Sequence, residues 1–182
     1  MEDVIITLPQ FITHAQISKN KFKKISGQRM FVGVNFYVRD AIVKRMHNFI
    51  EKHLPEDLDL GEGPFRIKMR LHVPANYGTV KMIRGKLSWR PPKEGYVCTW
   101  DVDNMWIWGK CFNDVLVNNN YLHDDNVYII RAAGEVEFVP VKTLDERKIE
   151  FIISKYEETN ESKEFTRRYS GDVPERRTKK GS

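Results

Sequence analysis

The chain has 182 residues, 41% of them hydrophobic and 12% aromatic, which fits one folded domain with a core and argues against a disordered polymer. No apolar run approaches the roughly 18 residues of a membrane span, and two cysteines, Cys98 and Cys111, are too few for a disulfide framework or a zinc knuckle. The acidic amino terminus lacks the basic-then-apolar order of a signal peptide, so we expect a cytoplasmic protein with no membrane partner.

The net charge of +5 is unevenly distributed along the chain. Residues 165–182 contain six basic and two acidic residues, so this segment carries +4 and residues 1–164 carry +1. We expect residues 1–156 to form the folded domain and residues 157–182 to form a polar, basic and flexible tail. Such a tail either binds a polyanion or only keeps the protein soluble, and its charge alone does not decide between the two.

The first third of the chain predicts a strand, a basic loop and a helix. Residues 4–8 are apolar and favour a strand, whereas residues 19–29 are rich in lysine and arginine without a regular apolar period. Residues 37–54 have apolar side chains at helical spacing, and Asp40 and Lys44 are placed for an i, i+4 ion pair on another face.

The clearest strand prediction covers residues 65–73, where apolar and basic residues alternate. One face of this strand is expected in the core, and the other is expected to be strongly basic through Arg66, Lys68 and Arg70. That basic face either contacts phosphate or is simply solvated. Residues 79–89 indicate a second, less regular strand.

The second half of the chain predicts an acidic site where a strand meets a helix. Residues 96–100 are expected to form an apolar strand that leads into Asp101 and Asp103, and residues 104–117 have helical spacing. In extended backbone, residues i and i+2 point to the same side, so both carboxylates can reach one ion. Two further strands are predicted at residues 127–141 and 148–156.

A second acidic pair, Asp124 and Asp125, precedes the predicted strand at residue 127. If that strand pairs beside the one before Asp101, one aspartate of this pair joins Asp101 and Asp103. Three carboxylates so close repel one another unless a cation neutralises them, and oxygen ligands are those that Mg²⁺ prefers. Each pair taken alone also fits a helix cap or an ordinary acidic turn.

Together these residues resemble the RusA-like Holliday junction resolvases, small phage-derived endodeoxyribonucleases. The family pattern is Asp-x-Asp-Asn at the head of a helix, a lysine and an aspartate on that helix, and a later Asp-Asp pair. The matching residues are Asp101, Asp103, Asn104, Lys110, Asp114, Asp124 and Asp125. The basic segment after Ser18 and the helix from Tyr37 also resemble the family's opening, so the likeness covers most of residues 3–155.

The resemblance implies a metal-dependent nuclease that acts on branched DNA in recombination and repair. It assigns Mg²⁺, with Mn²⁺ as a substitute, to Asp101, Asp103 and Asp125, with Asp124 in a supporting role. Lys110 would then stabilise the transition state while water activated by the metal attacks the phosphodiester. It further implies a homodimer and no small-molecule cofactor. From the elements and the resemblance together we expect an α+β fold, one RusA-like domain with a mixed β-sheet and two or more helices.

Basic residues are the expected contacts to the DNA backbone, where they position DNA without reading its sequence. They are Lys21, Lys23, Lys24, Arg29, Arg66, Lys68 and Arg70.

One departure from the family pattern leaves two functions open. The family's lysine usually follows the second aspartate by four residues, where this chain has Ile107, and Lys110 comes three residues later. On one ideal helix Asp103, Lys110 and Asp114 still share a face, within about 20° over seven residues. Lys110 is therefore either catalytic or a solvated helix residue. The chain is correspondingly either a junction nuclease or a non-catalytic DNA-binding module of the same fold, and flaps or forks are alternative substrates.

Two further expectations concern the helix after the first acidic pair. Gly109 is unusual in a helix interior and indicates a local bulge. Trp106 and Trp108 are expected in the core, although aromatic residues near such a site can also stack on unpaired bases.

Overall fold

The computed structural model describes residues 3–18, 21–27, 32–75, 79–83, 86–90, 102–160 and 163–164. Within these ranges the strands are β1 (Val4–Pro9), β2 (His14–Ser18), β3 (Lys21–Lys24), β4 (Phe65–Pro74), β5 (Thr79–Ile83), β6 (Lys86–Arg90), β7 (Ile130–Val141) and β8 (Lys148–Lys155). The α-helices of the same ranges are α1 (Phe36–Glu51), α2 (Val102–Met105) and α3 (Ile107–Asn118), and Leu144–Glu146 forms one turn of 3₁₀ helix.

Four of the strands form one mixed sheet in the order β1-β8-β4-β7. Strand β8 pairs antiparallel with β1 and β4, whereas β4 and β7 run parallel. A parallel pair needs a long crossover connection, and here that connection contains β5, β6, α2 and α3. The predicted α+β fold with a mixed sheet and at least two helices is confirmed.

The core lies between one face of this sheet and the helices α1 and α3. The stacked rings of Phe112 and Phe151, with centroids 3.9 Å apart, join α3 to β8. Helix α1 contributes the buried Ile42, Met46 and Ile50. Strand β4 alternates as predicted, and its core residues Phe65, Ile67, Met69, Leu71 and Val73 are almost completely buried. Burial of each such side chain contributes about 1.5–3 kcal/mol, so this apolar layer drives folding.

Helix α1 agrees closely with its prediction. The expected ion pair is present, with 3.0 Å between Asp40 Oδ2 and Lys44 Nζ. The helix ends at Glu51, three residues before the predicted end. It ends there because the backbone N–H of His53 already donates to Ile50 O, at 2.9 Å, in a tighter turn.

Two predictions in the first half of the chain are wrong. The basic segment 19–29 is not a loop throughout, because Lys21–Lys24 is a strand that pairs antiparallel with β2. Four residues are too few for a visible alternation, so only the backbone pairing defines this strand. Residues 79–89 form two strands, β5 and β6, paired as an antiparallel hairpin, and not one strand. We refer to β2 and β3 together (residues 14–24) as the basic hairpin.

In the second half of the chain, strand β7 begins at Ile130, three residues later than predicted. The backbone N–H groups of Ile129 and Ile130 both donate to Asn126 O, at 3.0 and 2.9 Å, and this turn delays the strand. Arg131 Nη2 donates to Glu158 at 3.1 Å, so contacts with the sheet continue past residue 156. The predicted strand 96–100 and tail residues 165–182 lie outside the described residues. None of the described helices is long and apolar enough to cross a membrane.

Gly109 is explained by packing, and the predicted bulge is wrong, because α3 runs regularly through this position. A Cβ at Gly109 would lie 2.7 Å from three ring atoms of Trp106. Glycine therefore lets the indole lie against the helix backbone. Of the two tryptophans expected in the core, Trp108 is fully buried, and Trp106 is half-buried.

Replacing Gly109 with alanine is expected to lower the free energy of unfolding by about 1–3 kcal/mol, because the indole must move. The better helix propensity of alanine, about 1 kcal/mol, offsets part of this loss. Urea unfolding checks the change, and Trp106→Ala combined with Gly109→Ala is the control. If alanine at position 109 stabilises the protein while Trp106 is present, the packing explanation is wrong.

Candidate functional site

Asp103 of the first acidic segment lies in the first turn of a helix. Helix α2 begins at Val102, so the backbone of Asp103 is helical and the expected extended geometry is wrong at this residue. Aspartate favours the first turn of a helix, whose free N–H groups attract negative charge. Asp101 and the side chain of Asp103 lie outside the described part of the structure.

The helical hydrogen-bond ladder is interrupted at Trp106, between α2 and α3. Its ψ of −9° departs from the roughly −42° of an α-helix. The expectation that Asp103, Lys110 and Asp114 share one face assumes a continuous helix, and the structure does not provide one. Lys110 lies in the first turn of α3 and is exposed, with its backbone N–H donating to Trp106 O at 3.0 Å. Its catalytic role stays a prediction.

Asp114, the aspartate of the motif on α3, contributes to helix packing. Its Oδ2 lies 3.8 Å from Nε2 of His47, across the contact between α1 and α3. Both side chains are half-buried. The carboxylate of Asp114 therefore faces α1.

The second acidic pair lies in the turn before β7, and its two members differ. Asp124 is half-buried, and its Oδ1 accepts from the backbone N–H of Asp125 at 2.8 Å. Its Oδ2 accepts from Nδ2 of Asn126 at 3.1 Å. The side chain of Asp125 is exposed. Asp124 thus organises the turn, and Asp125 presents its carboxylate to solvent.

Helix α2 has neighbours from two other parts of the chain. Helix α2 lies beside β7, the strand to which the turn with Asp124 and Asp125 leads. Gly27, three residues after the basic hairpin, packs against Asn104: a Cβ on Gly27 would lie 3.4 Å from Asn104 O and 3.6 Å from its Oδ1. The basic hairpin is therefore close in space to the first acidic segment. Among the described residues no three His, Cys, Asp or Glu side chains are grouped to hold a metal ion.

At neutral pH the positive charge of the basic hairpin comes from its lysines. Burial, and then the charge of Lys24, lower the pKa of His14 to about 4, so this imidazole is neutral. Lys23 Nζ donates to the carbonyl of Val32 at 2.9 Å, which ties the hairpin to the segment that leads into α1. The side chain of Lys21 and all of Arg29 lie outside the described part of the structure.

The second group of expected DNA contacts lies on β4, and the prediction of a strongly basic face is wrong. Lys68 Nζ lies 2.9 Å from Oε2 of Glu137 and 3.4 Å from Oε1 of Glu135. Arg70 Nε donates to the same Glu137 oxygen at 2.9 Å. Both glutamates come from β7, which pairs with β4. Arg66 is exposed, and its guanidinium lies 5.8 Å from the centre of a tyrosine ring. On this face of β4, the charges of Lys68 and Arg70 are therefore paired with glutamates of β7 in an ion-pair network.

This network predicts a pH dependence of stability. Hydrogen bonds from Lys68 and then Arg70 lower the pKa of Glu137 from 4.5 to about 2. A carboxylate with a depressed folded-state pKa stabilises the fold above its unfolded pKa, and this stabilisation is lost as the pH falls toward 2. We expect Glu137→Gln to reduce stability at neutral pH and to lessen the loss between about pH 5 and pH 2.

Urea unfolding at several pH values tests this expectation. The matched control is Glu56→Gln, an exposed glutamate in the turn after α1, which should leave the pH dependence unchanged. Parallel stability curves for the wild type and Glu137→Gln would rule out a stabilising role for the network.

A scan of the chain against protein-family models gives no match, and a search of curated proteins gives none either. The RusA-like resemblance therefore rests on the motif residues alone and stays a prediction.

Sequence reasoning missed an exposed aromatic pair at the start of α1. Tyr37 is 79% exposed and Phe36 is 62% exposed. A groove of about 420 Å³ opens beside them, between β2 and α1. The helical period could have predicted this exposure. Tyr37 precedes the core residue Met46 by nine residues, which places it about 180° away, on the opposite face of the helix.

Proposed function

We propose that the chain is a Mg²⁺-dependent endonuclease that cleaves branched DNA, with Holliday junctions as its substrate. One observation carries the proposal: the contact between Gly27 and Asn104, which brings the basic hairpin close to the acidic segment that begins at Asp101. A nuclease needs this combination, because cations beside the metal ligands hold the anionic DNA backbone where it is cut.

The chemistry of the acidic residues supports Asp101, Asp103 and Asp125 as the metal ligands, with Asp124 beside them. Carboxylate oxygens are the ligands that Mg²⁺ and Mn²⁺ take in proteins. Asp125 is exposed, whereas both oxygens of Asp124 already accept hydrogen bonds within the turn. When bound, the metal supplies an activated water and neutralises charge on the phosphodiester.

The basic residues of the proposal differ in their exposure and in whether carboxylates already pair with them. Lys23 and Lys24 are half-buried members of the hairpin and would position the DNA backbone close to the acidic segment. Lys110 is exposed and would offset charge in the transition state. Lys68 and Arg70 would contact DNA only by exchanging a carboxylate of β7 for a phosphate.

A homodimer is part of the proposal, because resolving a four-way junction requires two symmetric cuts. A dimer whose subunits are related by a two-fold axis would present two equivalent sites to the junction. A monomeric mass in light scattering at micromolar concentration would contradict this part.

The second candidate function is a non-catalytic DNA-binding module. It is favoured by Ile107 at the position of the family's lysine and by the break at Trp106, which precedes Lys110. A nuclease that acts on flaps or forks is a variant of the first proposal, because the same residues would carry the chemistry.

Metal-dependent thermal stabilisation separates the nuclease from the module. A ligand that binds only the folded state at about 100 times its dissociation constant adds about 2.7 kcal/mol, which is roughly 5–11 °C in melting temperature. We expect Mg²⁺ and Mn²⁺ to stabilise the wild type in this way and to leave Asp103→Asn nearly unchanged.

The control for this measurement is Asp57→Asn, an exposed aspartate in the turn after α1. It should respond to metal like the wild type. A melting temperature of the wild type that does not change with either ion would favour the non-catalytic module.

A further inference from the structure

The most exposed aromatic side chains of the described residues lie side by side at the start of α1. Tyr37 is 79% exposed and Phe36 is 62% exposed, against 39% for Phe138 on β7. The rings of Phe36 and Tyr37 lie 5.8 Å apart at an angle of 77°. Large apolar rings usually lie inside proteins, and adjacent exposed ones mark a surface that contacts something else.

A groove continues from this ring pair between β2 of the basic hairpin and α1. Its volume is about 420 Å³. Its described lining residues are mostly apolar, include one arginine and contain no carboxylate: Gln16, Ile17, Tyr37, Val38, Ala41, Ile42 and Arg45. A groove of this composition suits a flat, uncharged ring with an anionic group attached to it.

One arginine contacts the ring pair, and another lines the groove. The guanidinium carbon of Arg39 lies 5.3 Å from the centre of the Phe36 ring, within cation–π distance. Lys23 of the hairpin donates to Val32 O at 2.9 Å, four residues before α1 begins. The carboxylate of Asp40 is already paired with a lysine one turn along the helix, at 3.0 Å. Arg39 and Arg45 therefore place cationic groups beside the rings and the groove.

We propose that the aromatic platform, consisting of Phe36, Tyr37, Arg39, Arg45 and the groove beside them, binds unpaired nucleotides of a DNA strand. Bases would stack on the exposed rings, and their phosphates would lie against the arginines. Duplex DNA does not need exposed rings, because its bases already stack on one another. This inference rests on the proposed function, because it takes DNA as the substrate. It adds that the platform recognises unpaired nucleotides at a branch point.

Fluorescence anisotropy in the presence of EDTA tests the platform. The probes are a labelled oligothymidylate of roughly 16 nucleotides and an abasic strand of equal length, which has the same charge but no bases. We expect the wild type to bind the oligothymidylate at least about ten-fold more tightly than the abasic strand. The double variant Phe36→Ala/Tyr37→Ala should lose this preference and bind both strands equally.

The matched control is Phe138→Ala, which removes an exposed ring from β7 and should keep the preference. The rings at positions 36 and 37 are exposed, so the double variant should fold, and equal melting temperatures check this. Equal affinity of the wild type for both strands, no binding at all, or an unchanged preference in the double variant would each overturn the proposal. A changed oligomeric mass with an unchanged preference would identify the platform as a contact between copies of the chain.

The test is independent of cleavage, because EDTA removes the metal. If the oligothymidylate is preferred but no junction is cut in Mg²⁺, the proposed nuclease fails and the platform stands. If junctions are cut and the double variant keeps its preference, the nuclease stands and the platform fails.

Discussion

Replacing Asp103 with asparagine is expected to abolish Mg²⁺-dependent cleavage of a four-way junction and to leave junction binding intact or tighter. Asparagine keeps the size of the side chain but removes a negative charge that the metal needs. Loss of residues that only support metal ligands typically costs about 10–100-fold, so loss of a ligand should cost about 100-fold or more. Binding should not weaken, because less negative charge then faces the DNA.

Cleavage and gel-shift assays on the same labelled junction measure the two effects separately. Asp57→Asn, which removes the same charge from an exposed turn, should cut and bind like the wild type. Normal cleavage by Asp103→Asn would remove Asp103 from the metal site, and weakened binding would indicate a folding defect instead.

Replacing Arg147 with methionine is expected to cause the largest loss of stability among the variants considered. This side chain is only 9% exposed, and its guanidinium donates to three backbone carbonyls. They are Phe11 O at 2.9 Å, Leu144 O at 2.9 Å and Gln10 O at 3.1 Å. These bonds join the connection between β1 and β2 to the connection between β7 and β8. Methionine would remove the side-chain donors of Phe11 O and Gln10 O, whereas Leu144 O would keep its bond from the backbone N–H of residue 147. We expect a cost of about 3 kcal/mol after relaxation.

Urea unfolding and thermal melting check this prediction, and the expected decrease in melting temperature is roughly 6–12 °C. Arg45→Met is the control, since Arg45 is exposed on α1 and methionine has a similar helix propensity. The stability of Arg147→Lys should fall between those of Arg147→Met and Arg45→Met. Lysine keeps a positive charge but lacks the planar guanidinium that reaches three carbonyls at once. Equal stability of Arg147→Met and the wild type would show that the three bonds contribute little.

The parts of the fold that the sequence predicted correctly are those with a local pattern. Strand β4 alternates from Phe65 to Val73, and α1 repeats its apolar residues at helical spacing, because one face of each is buried. Strand β3 was missed because its identity depends on pairing with β2 and not on its own four residues. The break at Trp106 was also missed, since residues 104–117 keep helical spacing through it. The contact of the Trp106 indole with Gly109 was missed because it depends on packing.

The candidate site was only partly predictable for the same reason. The sequence identified Asp124 and Asp125, but not that Asp124 is engaged within the turn while Asp125 is exposed. It identified Arg70, but its partner Glu137 is 67 residues away and depends on the parallel pairing of β4 with β7. The spacing argument for Asp103 failed because it assumed extended backbone where the chain is helical.

The most direct test of the central proposal is cleavage of a synthetic four-way junction beside a linear duplex of the same sequence, with Mg²⁺ and with EDTA. The proposal predicts symmetric cuts in the junction alone and only with the metal. Binding of the junction without cleavage in Mg²⁺ or Mn²⁺ would contradict the nuclease and leave a DNA-binding module.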